Sequence, residues 1–376
     1  MIIIVEQAAL ARVTARIASV ANKRGTIPIL QNVLIDARDG AVWLTGTDLD
    51  MEIRERFDAT VDRSGQITVN AASLAEIARN APAGAEVMIK WEEAADPRAQ
   101  VKFGRSRYLL PILPAGDFPV RGSLSGASEL VMPAAELLTL LDHVHFAQSS
   151  EETRYYLCGT YFHTLSDEGQ PVFRVVATDG HRMVIDQRPI DPGVSFPGVI
   201  IPRAAIGEFR RLLTGSKAEA RLSVTPSGVA LEIDDTRLIT KTIDGSYPDY
   251  ERVRPRTWER EIVIDRAVLH GAVKRVALIS ADKARSVKLS IDDEVLTLTV
   301  RNLEAGVADD EIEVTGPGEH FETGFNAKYL LDLLEQTDAD QMLFRVTEGT
   351  SPARLDPHPS TKGAEAIVNV IMPLRV

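Results

Sequence analysis

The chain has 376 residues, of which 44% are hydrophobic, and it carries a formal net charge of −12. This hydrophobic share can build ordinary cores, and no apolar run reaches the roughly 18 residues that a membrane-spanning helix needs. The acidic balance argues against a protein that grips nucleic acid with its whole surface.

The first six residues, Met1-Ile2-Ile3-Ile4-Val5-Glu6, contain neither a basic region nor a small-residue cleavage site. They therefore predict a strand rather than a signal peptide. Cys158 is the only cysteine, which rules out an internal disulfide and fits a reducing cytoplasm. It stands in a β-like run, where we expect a small buried hydrophobic residue.

The chain repeats one arrangement of two amphipathic helices three times. Landmarks in the first helix of each copy are spaced by 127 and 132 residues: Leu10, Leu137 and Leu269. Landmarks in the second helix are spaced by 132 and 124 residues: Leu74, Ile206 and Leu330. This spacing is far longer than a solenoid repeat of about 20–50 residues and predicts three similar domains.

The predicted helical segments are 6–22, 71–81, 133–147, 202–214, 265–280 and 326–336. They hold ten Lys and Arg against eight Asp and Glu, a balance of 10 − 8 = +2. The rest of the chain then carries −12 − 2 = −14. The helices are therefore mildly basic in an acidic protein, which is also what ordinary surface helices with solvated charges would show.

Short alternating β-branched runs lie between the helices, at 32–37, 41–47, 221–224, 228–233 and 295–300. Alternation predicts half-buried antiparallel strands, and Asp39-Gly40 and Ser227-Gly228 predict hairpin turns. Each copy should hold about eight strands with both helices on one side of the sheet, an α+β fold. We expect domains at 1–123, 128–254 and 260–376, and a surface loop at 352–363.

The most polar compact cluster on the chain is Ala177-Thr178-Asp179-Gly180-His181-Arg182. Asp179 and His181 could share a face, so one alternative is a three-module hydrolase that uses this pair. No nucleophile motif accompanies them, and Asp-Gly is also a turn signal. His143 and His145 fall on different faces of a predicted helix, and no ligand spacing indicates a metal or cofactor. The sequence favours a scaffold without catalytic residues.

Several motifs together resemble the bacterial sliding clamps, the β subunits of DNA polymerase III. They run in order through the whole chain and include Thr26-Ile27-Pro28-Ile29-Leu30, Gly46-Thr47-Asp48-Leu49, the cluster at 177–182, Tyr247-Pro248-Asp249-Tyr250-Glu251-Arg252-Val253 and Val370-Ile371-Met372-Pro373-Leu374-Arg375-Val376. The resemblance implies three clamp domains and a head-to-tail homodimer that closes into a ring around double-stranded DNA. It implies no cofactor.

The width of a helix is consistent with a ring of two chains. Six helices about 10 Å wide leave a lumen near 9 Å, whereas twelve leave about 28 Å, and a duplex is roughly 20 Å wide. One chain cannot encircle DNA, but two can. A closed ring needs only a modest positive lining, which the charge of the helices provides.

The resemblance places Arg24, Tyr155 and Tyr156 near DNA. The basic residues of the predicted helices add Arg79, Arg203 and Arg210. The family often carries a polar amide where this chain has Glu151.

The resemblance also implies a pocket between the second and third domains that takes short apolar motifs of partner proteins. Leu, Met, Val, Ile and Pro would give an adaptable apolar slot, with Arg and His at its rim. The matching positions are Leu157, Thr178, Gly180, His181, Arg182, Met183, Pro248, Arg252, Val253, Val370, Ile371, Met372, Pro373, Leu374 and Arg375.

The implied partners are the DNA polymerase III α subunit, the clamp loader, and other polymerases and repair proteins, with no membrane involved. Within the family, the alternative is a specialised second clamp that serves another replicon or confers inhibitor resistance.

Overall fold

The computed structural model describes residues 1–21, 26–92, 97–280, 286–316, 320–359 and 366–374. Within them, the first repeat contains helices α1 (Gln7–Val20) and α2 (Ala71–Asn80). Its strands are β1 Ile2–Glu6, β2 Asn32–Arg38, β3 Ala41–Thr47, β4 Met51–Asp58, β5 Thr60–Arg63, β6 Gly65–Asn70, β7 Glu86–Lys90, β8 Arg98–Phe103 and β9 Ser106–Leu113.

The second repeat contains helices α3 (Ala134–Val144) and α4 (Arg203–Leu213). Its strands are β10 Ser128–Pro133, β11 Gly159–Asp167, β12 Gln170–Thr178, β13 Arg182–Pro189, β14 Val199–Pro202, β15 Glu219–Thr225, β16 Gly228–Ile233 and β17 Thr236–Lys241.

The third repeat contains helices α5 (Arg266–Val276) and α6 (Ala327–Glu335). Its strands are β18 Arg260–Asp265, β19 Ser286–Asp292, β20 Val295–Asn302, β21 Gly306–Glu313, β22 Phe321–Asn326, β23 Gln341–Val346, β24 Ala353–Pro357 and β25 Val368–Ile371. The prediction of two helices per repeat is confirmed. The first repeat has nine described strands rather than eight.

The described residues form two compact units, 1–135 with 211–242, and 136–210 with 243–376. In the first unit, β4 pairs with β17 within a sheet ordered β10-β15-β16-β17-β4-β3-β2-β6-β9-β8-β7-β1-β5. In the second unit, β13 pairs with β25 within a sheet ordered β14-β11-β12-β13-β25-β24-β23-β18. A second sheet there is ordered β21-β20-β19-β22. Sheets therefore run across the borders between repeats.

Short polar side chains fix where several helices begin. The side chain of Asn70 accepts a hydrogen bond of 2.9 Å from Ser73 N at the start of α2. Asp265 and Asn326 cap α5 and α6 in the same way. Each cap satisfies one backbone N–H that has no partner inside the helix. The helix that follows buries one apolar stripe, as the sequence predicts.

Several strands predicted to be half-buried are buried on both faces. In β2, six of the seven residues are buried, and in β3 the side chain of Trp43 is the single half-buried position. The guanidinium carbons of Arg38 and Arg54 lie 4.8 and 5.9 Å from the Trp43 ring centroid. Long arginine side chains therefore cover the face that alternation alone would leave to solvent. Strand β20 keeps the predicted alternation.

Two turn predictions have different outcomes. Asp39 and Gly40 both have positive φ, 50° and 74°, and form the β2–β3 hairpin turn as predicted. The prediction at Ser227-Gly228 is wrong by one residue, because Gly228 already belongs to β16 and pairs with Thr225. A Cβ at Gly228 would lie 3.1 Å from the carbonyl oxygen of Thr240, so close packing explains this glycine.

The predicted surface loop at 352–363 is wrong in its first half. Ala353–Pro357 forms strand β24, which lies between β23 and β25. The buried Asp356 accepts a hydrogen bond of 2.8 Å from Asn369 N, which ties β24 to β25. Pro352 and Pro359 lie on either side of this segment and are typical of loops, so the sequence did not indicate a strand of five residues. Residues 360–363 of the predicted loop lie outside the described residues.

Cys158 also differs from its prediction. It is half-buried and lies between a short 3-10 helix, Glu152–Leu157, and the first residue of β11. Its Sγ is 3.3 Å from the carbonyl oxygen of Glu151. In the described part of the chain, no helix combines the length and apolar composition that a membrane crossing requires.

Gly159 and Gly207 provide a matched pair for testing this packing. A methyl group at Gly159 would overlap the carbonyl oxygen of Ile201 on the neighbouring strand, whereas one at Gly207, inside α4, would meet nothing within 4 Å. We expect Gly159→Ala to lower the free energy of unfolding by about 2 kcal/mol. Gly207→Ala should raise it by about 0.5–1 kcal/mol. Urea denaturation followed by circular dichroism measures both, and equal effects would contradict the packing described.

Candidate functional site

The turn between β12 and β13 is built by its own side chains. Thr178 Oγ1 donates to the carbonyl oxygen of Arg182 at 2.7 Å and accepts from Gly180 N at 3.0 Å. Asp179 Oδ1 accepts from the backbone N–H groups of His181 and Arg182 at 2.8 and 3.0 Å. Gly180 has φ of +88°, a conformation that glycine adopts without strain. The polar cluster seen in the sequence is therefore a self-satisfied hairpin turn.

The first repeat builds the same turn between β3 and β4. Thr47 Oγ1 donates to the carbonyl oxygen of Met51 at 2.6 Å and accepts from Leu49 N at 3.0 Å. Asp48 Oδ1 accepts from Asp50 N and Met51 N at 2.9 and 2.6 Å. Leu49 takes the place of Gly180 with φ of +79°. The turn itself therefore belongs to the repeated fold rather than to one site.

Beside the β12–β13 turn lies an apolar cavity of about 190 Å³, here called the slot. Its lining combines residues of four separate stretches of the chain: Leu157, Thr178, Gly180, Arg182, Met183, Pro248, Asp249, Tyr250, Val253, Val370 and Met372. Nine of these residues were predicted from the sequence. Asp249 and Tyr250 were not, although both lie inside the motif at 247–253 that pointed to the site.

The floor and walls of the slot come from packed backbone. Met183 and Val370 are direct partners in the β13–β25 pair, and both belong to a buried apolar cluster with Tyr250. Met372 N donates to the carbonyl oxygen of His181 at 2.8 Å, which continues the pairing beyond β25. The slot is therefore pre-formed by sheet pairing and not by loops alone.

The remaining predicted residues lie around the slot rather than in its lining. Two of them, Ile371 and Pro373, are sequence neighbours of the slot residues Val370 and Met372, and successive side chains of an extended chain point to opposite faces. Ile371 is fully buried. Leu374 N donates to the carbonyl oxygen of Gly324 at 2.7 Å. Pro373 is half-buried, and Arg375 lies outside the described residues.

Two polar residues predicted at the rim have clear local contacts. The Arg252 side chain is exposed and pairs with Asp249 at 2.8 Å. The His181 ring stacks on Tyr329, with centroids 6.0 Å apart. His181 therefore faces away from the apolar lining, toward a second cavity.

Arg182 was predicted as a polar group at the rim, but its side chain is largely buried. Its guanidinium donates to Asp332 Oδ2 at 2.6 Å, to the Phe146 carbonyl oxygen at 2.9 Å and to Asp179 Oδ2 at 3.1 Å. It also lies 4.6 Å from the ring centroid of Tyr329. A buried guanidinium with this many partners joins β13 to α6, so its main role is structural.

The second cavity is polar and charged. It is lined by His145, Phe146, Gln148, Ser149, Ser150, Glu151, Arg154, Asp179, His181, Arg182, Arg203, Lys328, Tyr329, Asp332 and Gln336. A hydrogen bond from Thr153 Oγ1 at 2.8 Å lowers the pKa of Glu151, and so does the contact in which Arg154 Nε donates to Glu151 Oε2 at 2.9 Å. Burial lowers the pKa of His145, which keeps this ring neutral at physiological pH.

The residues predicted near DNA have different surroundings. Tyr155 is exposed, and its ring meets that of Tyr156 edge-on at 5.6 Å. Arg79 is exposed on α2, and Arg203 is exposed at the start of α4. Arg210 Nε donates to Asp142 Oδ1 at 2.5 Å, so much of its charge is already balanced. Arg24 lies outside the described residues.

The alternative of an Asp179–His181 catalytic pair is not favoured by this geometry. Asp179 Oδ1 accepts two backbone N–H groups and Oδ2 accepts from Arg182. The nearest described partner of the His181 ring is Tyr329. His143 Nδ1 instead lies 2.7 Å from Asp186 Oδ2. Among the residues whose positions are described, no group of three or more His, Cys, Asp or Glu could hold a metal ion.

Family models cover almost the whole chain. Residues 1–122 match the N-terminal domain of the DNA polymerase III beta subunit, 131–249 match its central domain and 251–375 match its C-terminal domain. The chain belongs to the DNA polymerase III β-subunit family. The prediction of three repeated clamp domains of the α+β class is thereby confirmed.

Relatives of the β-subunit family align from end to end. The beta sliding clamp of Caulobacter vibrioides is 45% identical over 99% of both chains, and that of Escherichia coli K12 is 33% identical over 94% of both. A Caulobacter crescentus clamp structure with polyethylene glycol in a region suggested for beta-motif tethering has a TM-score of 0.96 at 44% identity, covering 100% of this chain and 99% of that one. A Bartonella birtlesii clamp bound to griselimycin has a TM-score of 0.95 at 36% identity over the whole of both chains.

Proposed function

We propose that this replication processivity clamp works as a homodimeric ring around duplex DNA. Each chain would contribute three clamp domains, at 1–123, 128–254 and 260–376, and the ring would slide while tethering its partners. The proposed partners are the DNA polymerase III α subunit, the clamp loader, and other polymerases and repair proteins in the cytoplasm. The role is topological, so the chain itself needs no catalytic residue, and the satisfied Asp179 turn supports this.

The slot is the observation that carries the tethering proposal. Residues from four stretches of sequence line one apolar cavity of about 190 Å³. A cavity near 150 Å³ holds a benzene molecule, so the slot can take one bulky apolar side chain of a short motif. Arg154 and His181 lie in the neighbouring charged cavity, where they can orient polar parts of the same peptide. Griselimycin and polyethylene glycol, bound by two relatives, are further candidate occupants.

Strand pairing within the chain supports the head-to-tail dimer. In the first two repeats, a strand follows the turn whose backbone N–H groups are bound by an aspartate, Asp48 or Asp179. This strand pairs with the last described strand of the following repeat, β4 with β17 and β13 with β25. The equivalent strand of the third repeat is β21, whose described pairing is with β20 alone. By the same rule, β21 would pair with β9 of a second copy. Residues 106–111 of β9 pair only with β8 among the described strands, so this edge is available.

The equivalence also supports one register for this contact. Asn302 Oδ1 accepts from Glu304 N and Ala305 N, as Asp48 Oδ1 does from Asp50 N and Met51 N. Counting from these turns, and from the hairpin turns before β17 and β9, we infer that Tyr108 would lie opposite Val307.

Exposure and charge at the two strands fit this register. Tyr108 is 37% exposed and Val307 61% exposed, unusual values for large apolar residues on strands. Strand β21 is acidic, with Asp309, Asp310 and Glu311, whereas Arg105 and Arg107 make the β9 edge basic. A heterologous contact between complementary edges gives a closed ring when its rotation brings the remaining free edges of the two copies together.

Removing the apolar lining should weaken binding to the slot. Met183→Ala takes away most of one buried side chain, so we expect about a tenfold loss of affinity for a fluorescently labelled polymerase-derived peptide. Removing 372–376 should abolish binding, because Met372 forms one wall of the slot. His181→Ala should have a smaller effect. Fluorescence anisotropy measures each affinity, with Arg63→Ala in the first repeat as an exposed control, and unchanged binding after truncation would refute the site.

The dimer contact should respond to charge at its centre. Val307→Asp or Tyr108→Asp buries a carboxylate against an apolar side chain, so we expect mainly species of 41.2 kDa in sedimentation at micromolar concentration. Val131→Asp, on the exposed face of β10, is the control and should stay dimeric. For the register, a protein with Cys158→Ser, Tyr108→Cys and Val307→Cys should form an intermolecular disulfide on oxidation. A monomeric wild-type protein would contradict the ring.

The DNA-facing lining of the ring should hold DNA through its positive charge, and the closed ring should be retained through its topology. Arg203 is exposed at the start of α4, so Arg203→Glu should weaken the hold on DNA and reduce the salt-dependence slope of that hold by about 0.9 per lost phosphate contact. Arg221→Glu, on strand β15, is a charge-matched control. Clamps loaded on circular DNA should remain far longer than on linear DNA, as measured by gel filtration of labelled protein. Equal retention on the two substrates would refute encirclement.

A further inference from the structure

An aromatic ladder stands behind one wall of the slot. The Tyr247 ring stacks on Tyr161 with centroids 4.7 Å apart and an interplanar angle of 2°. Tyr161 stacks on His163 at 4.7 Å, and His163 meets Tyr250 edge-on at 5.8 Å. Tyr161 and His163 lie on β11, so both ends of the segment 247–250 are fastened to one strand. Tyr250 is the ladder residue that also lines the slot.

The ladder ends in a directional chain of hydrogen bonds. Arg174 Nη1 donates to the Tyr250 hydroxyl oxygen at 3.1 Å, and that oxygen lies 2.9 Å from His163 Nε2. Arginine can only donate, so we assign the tautomer in which His163 Nε2 carries no proton and accepts a hydrogen bond from the Tyr250 hydroxyl. Burial, with the Arg174 charge as a smaller cause, lowers the pKa of His163 to about 4. The His163 ring is therefore uncharged at neutral pH and can accept the hydrogen bond from the Tyr250 hydroxyl.

Arg174 is held rigidly enough to serve as an anchor. Its side chain is only 1% exposed, and it also contacts Gln187 at 2.7 Å, Glu251 at 2.6 Å and Asp167 at 3.2 Å. Glu251 follows Tyr250 and also accepts from Arg256 at 2.8 Å. The wall segment is thus connected to β12 through two consecutive residues.

The first repeat shows that the fold does not require this arrangement. It builds the same capped turn, yet the position four residues before Thr47 is Trp43, whereas the position four before Thr178 is Arg174. After its last strand, the first repeat has Asp117-Phe118 where the second repeat has Asp249-Tyr250. Phe118 is buried, and phenylalanine has no hydroxyl group that could take part in such hydrogen bonds. The first repeat therefore has neither the buried arginine nor the tyrosine hydroxyl.

We propose that Arg174 and His163 are positioning residues for partner binding, which act through the Tyr250 hydroxyl to keep the slot wall in its binding-ready place. This inference rests on the proposed peptide-binding function of the slot. If the wall is released, the binding-ready form becomes a fraction of the population, and apparent affinity falls by that fraction. The loss appears mainly in the association rate, since the bound complex keeps the same contacts.

Tyr250→Phe tests the chain while keeping the ring that lines the slot. We expect three- to tenfold weaker binding of the polymerase-derived peptide and of griselimycin, the size expected for one lost net hydrogen bond. Surface plasmon resonance should show a slower association rate with a nearly unchanged dissociation rate, and hydrogen exchange should be faster at 250–253. Adding His163→Leu should cause little further loss of affinity, because the hydrogen bond that the two side chains share is already absent in Tyr250→Phe.

The outcomes separate this inference from the proposed function. If Met183→Ala weakens binding but Tyr250→Phe leaves association rate and affinity unchanged, the positioning role is wrong and the slot stands. If Tyr250→Phe instead changes only the dissociation rate, the hydroxyl acts in the complex and the preset wall is wrong. Wild-type protein that binds neither probe overturns both proposals.

Discussion

The antiparallel pairing between one repeat and the next is the constraint on which the other features depend. β4 pairs with β17 from Met51 to Glu55, and β13 pairs with β25 from Arg182 to Ile185. In both places, the pairing begins at a turn whose backbone N–H groups are satisfied by an aspartate side chain. A shift by one residue would move every side chain to the opposite face of the sheet. The register therefore decides which residues reach the slot.

Where two repeats share a sheet, their border becomes a buried surface that can be specialised. In the second unit this surface carries Met183, Val370 and Tyr250, and the result is an apolar cavity. In the first unit the position equivalent to Met183 is Glu52, which accepts a hydrogen bond of 2.6 Å from Arg121 N. Burial raises the pKa of Glu52, the expected effect of an apolar setting on a carboxyl group. The two borders between repeats thus share one backbone arrangement but carry different side chains, Met183 in the second unit and Glu52 in the first.

Sequence patterns predicted the repeat, the six helices and most of the slot, because these depend on local signals. Helix caps such as Asn70 and apolar periodicity act within a few residues, and the slot residues lie in motifs that the family resemblance marks. The failures concern residues whose partners are distant in sequence. Ala353–Pro357 becomes a strand through β23 and β25, and Arg182 is buried through Asp332, which is 150 residues away. No pattern around Tyr250 shows that Arg174 will reach its hydroxyl.

The long sequence separation within the slot has a consequence for quality control. Leu157 and Met372 are 215 residues apart, yet they line one cavity. The cavity therefore does not exist until the second and third repeats have both folded and their shared sheet has formed. If the slot binds partners as proposed, a chain with a truncated or misfolded third repeat would present no site to them and would fail to recruit them. Conversely, any occupant of the slot stabilises the folded state of this unit as a whole, because it binds only when both parts are in place.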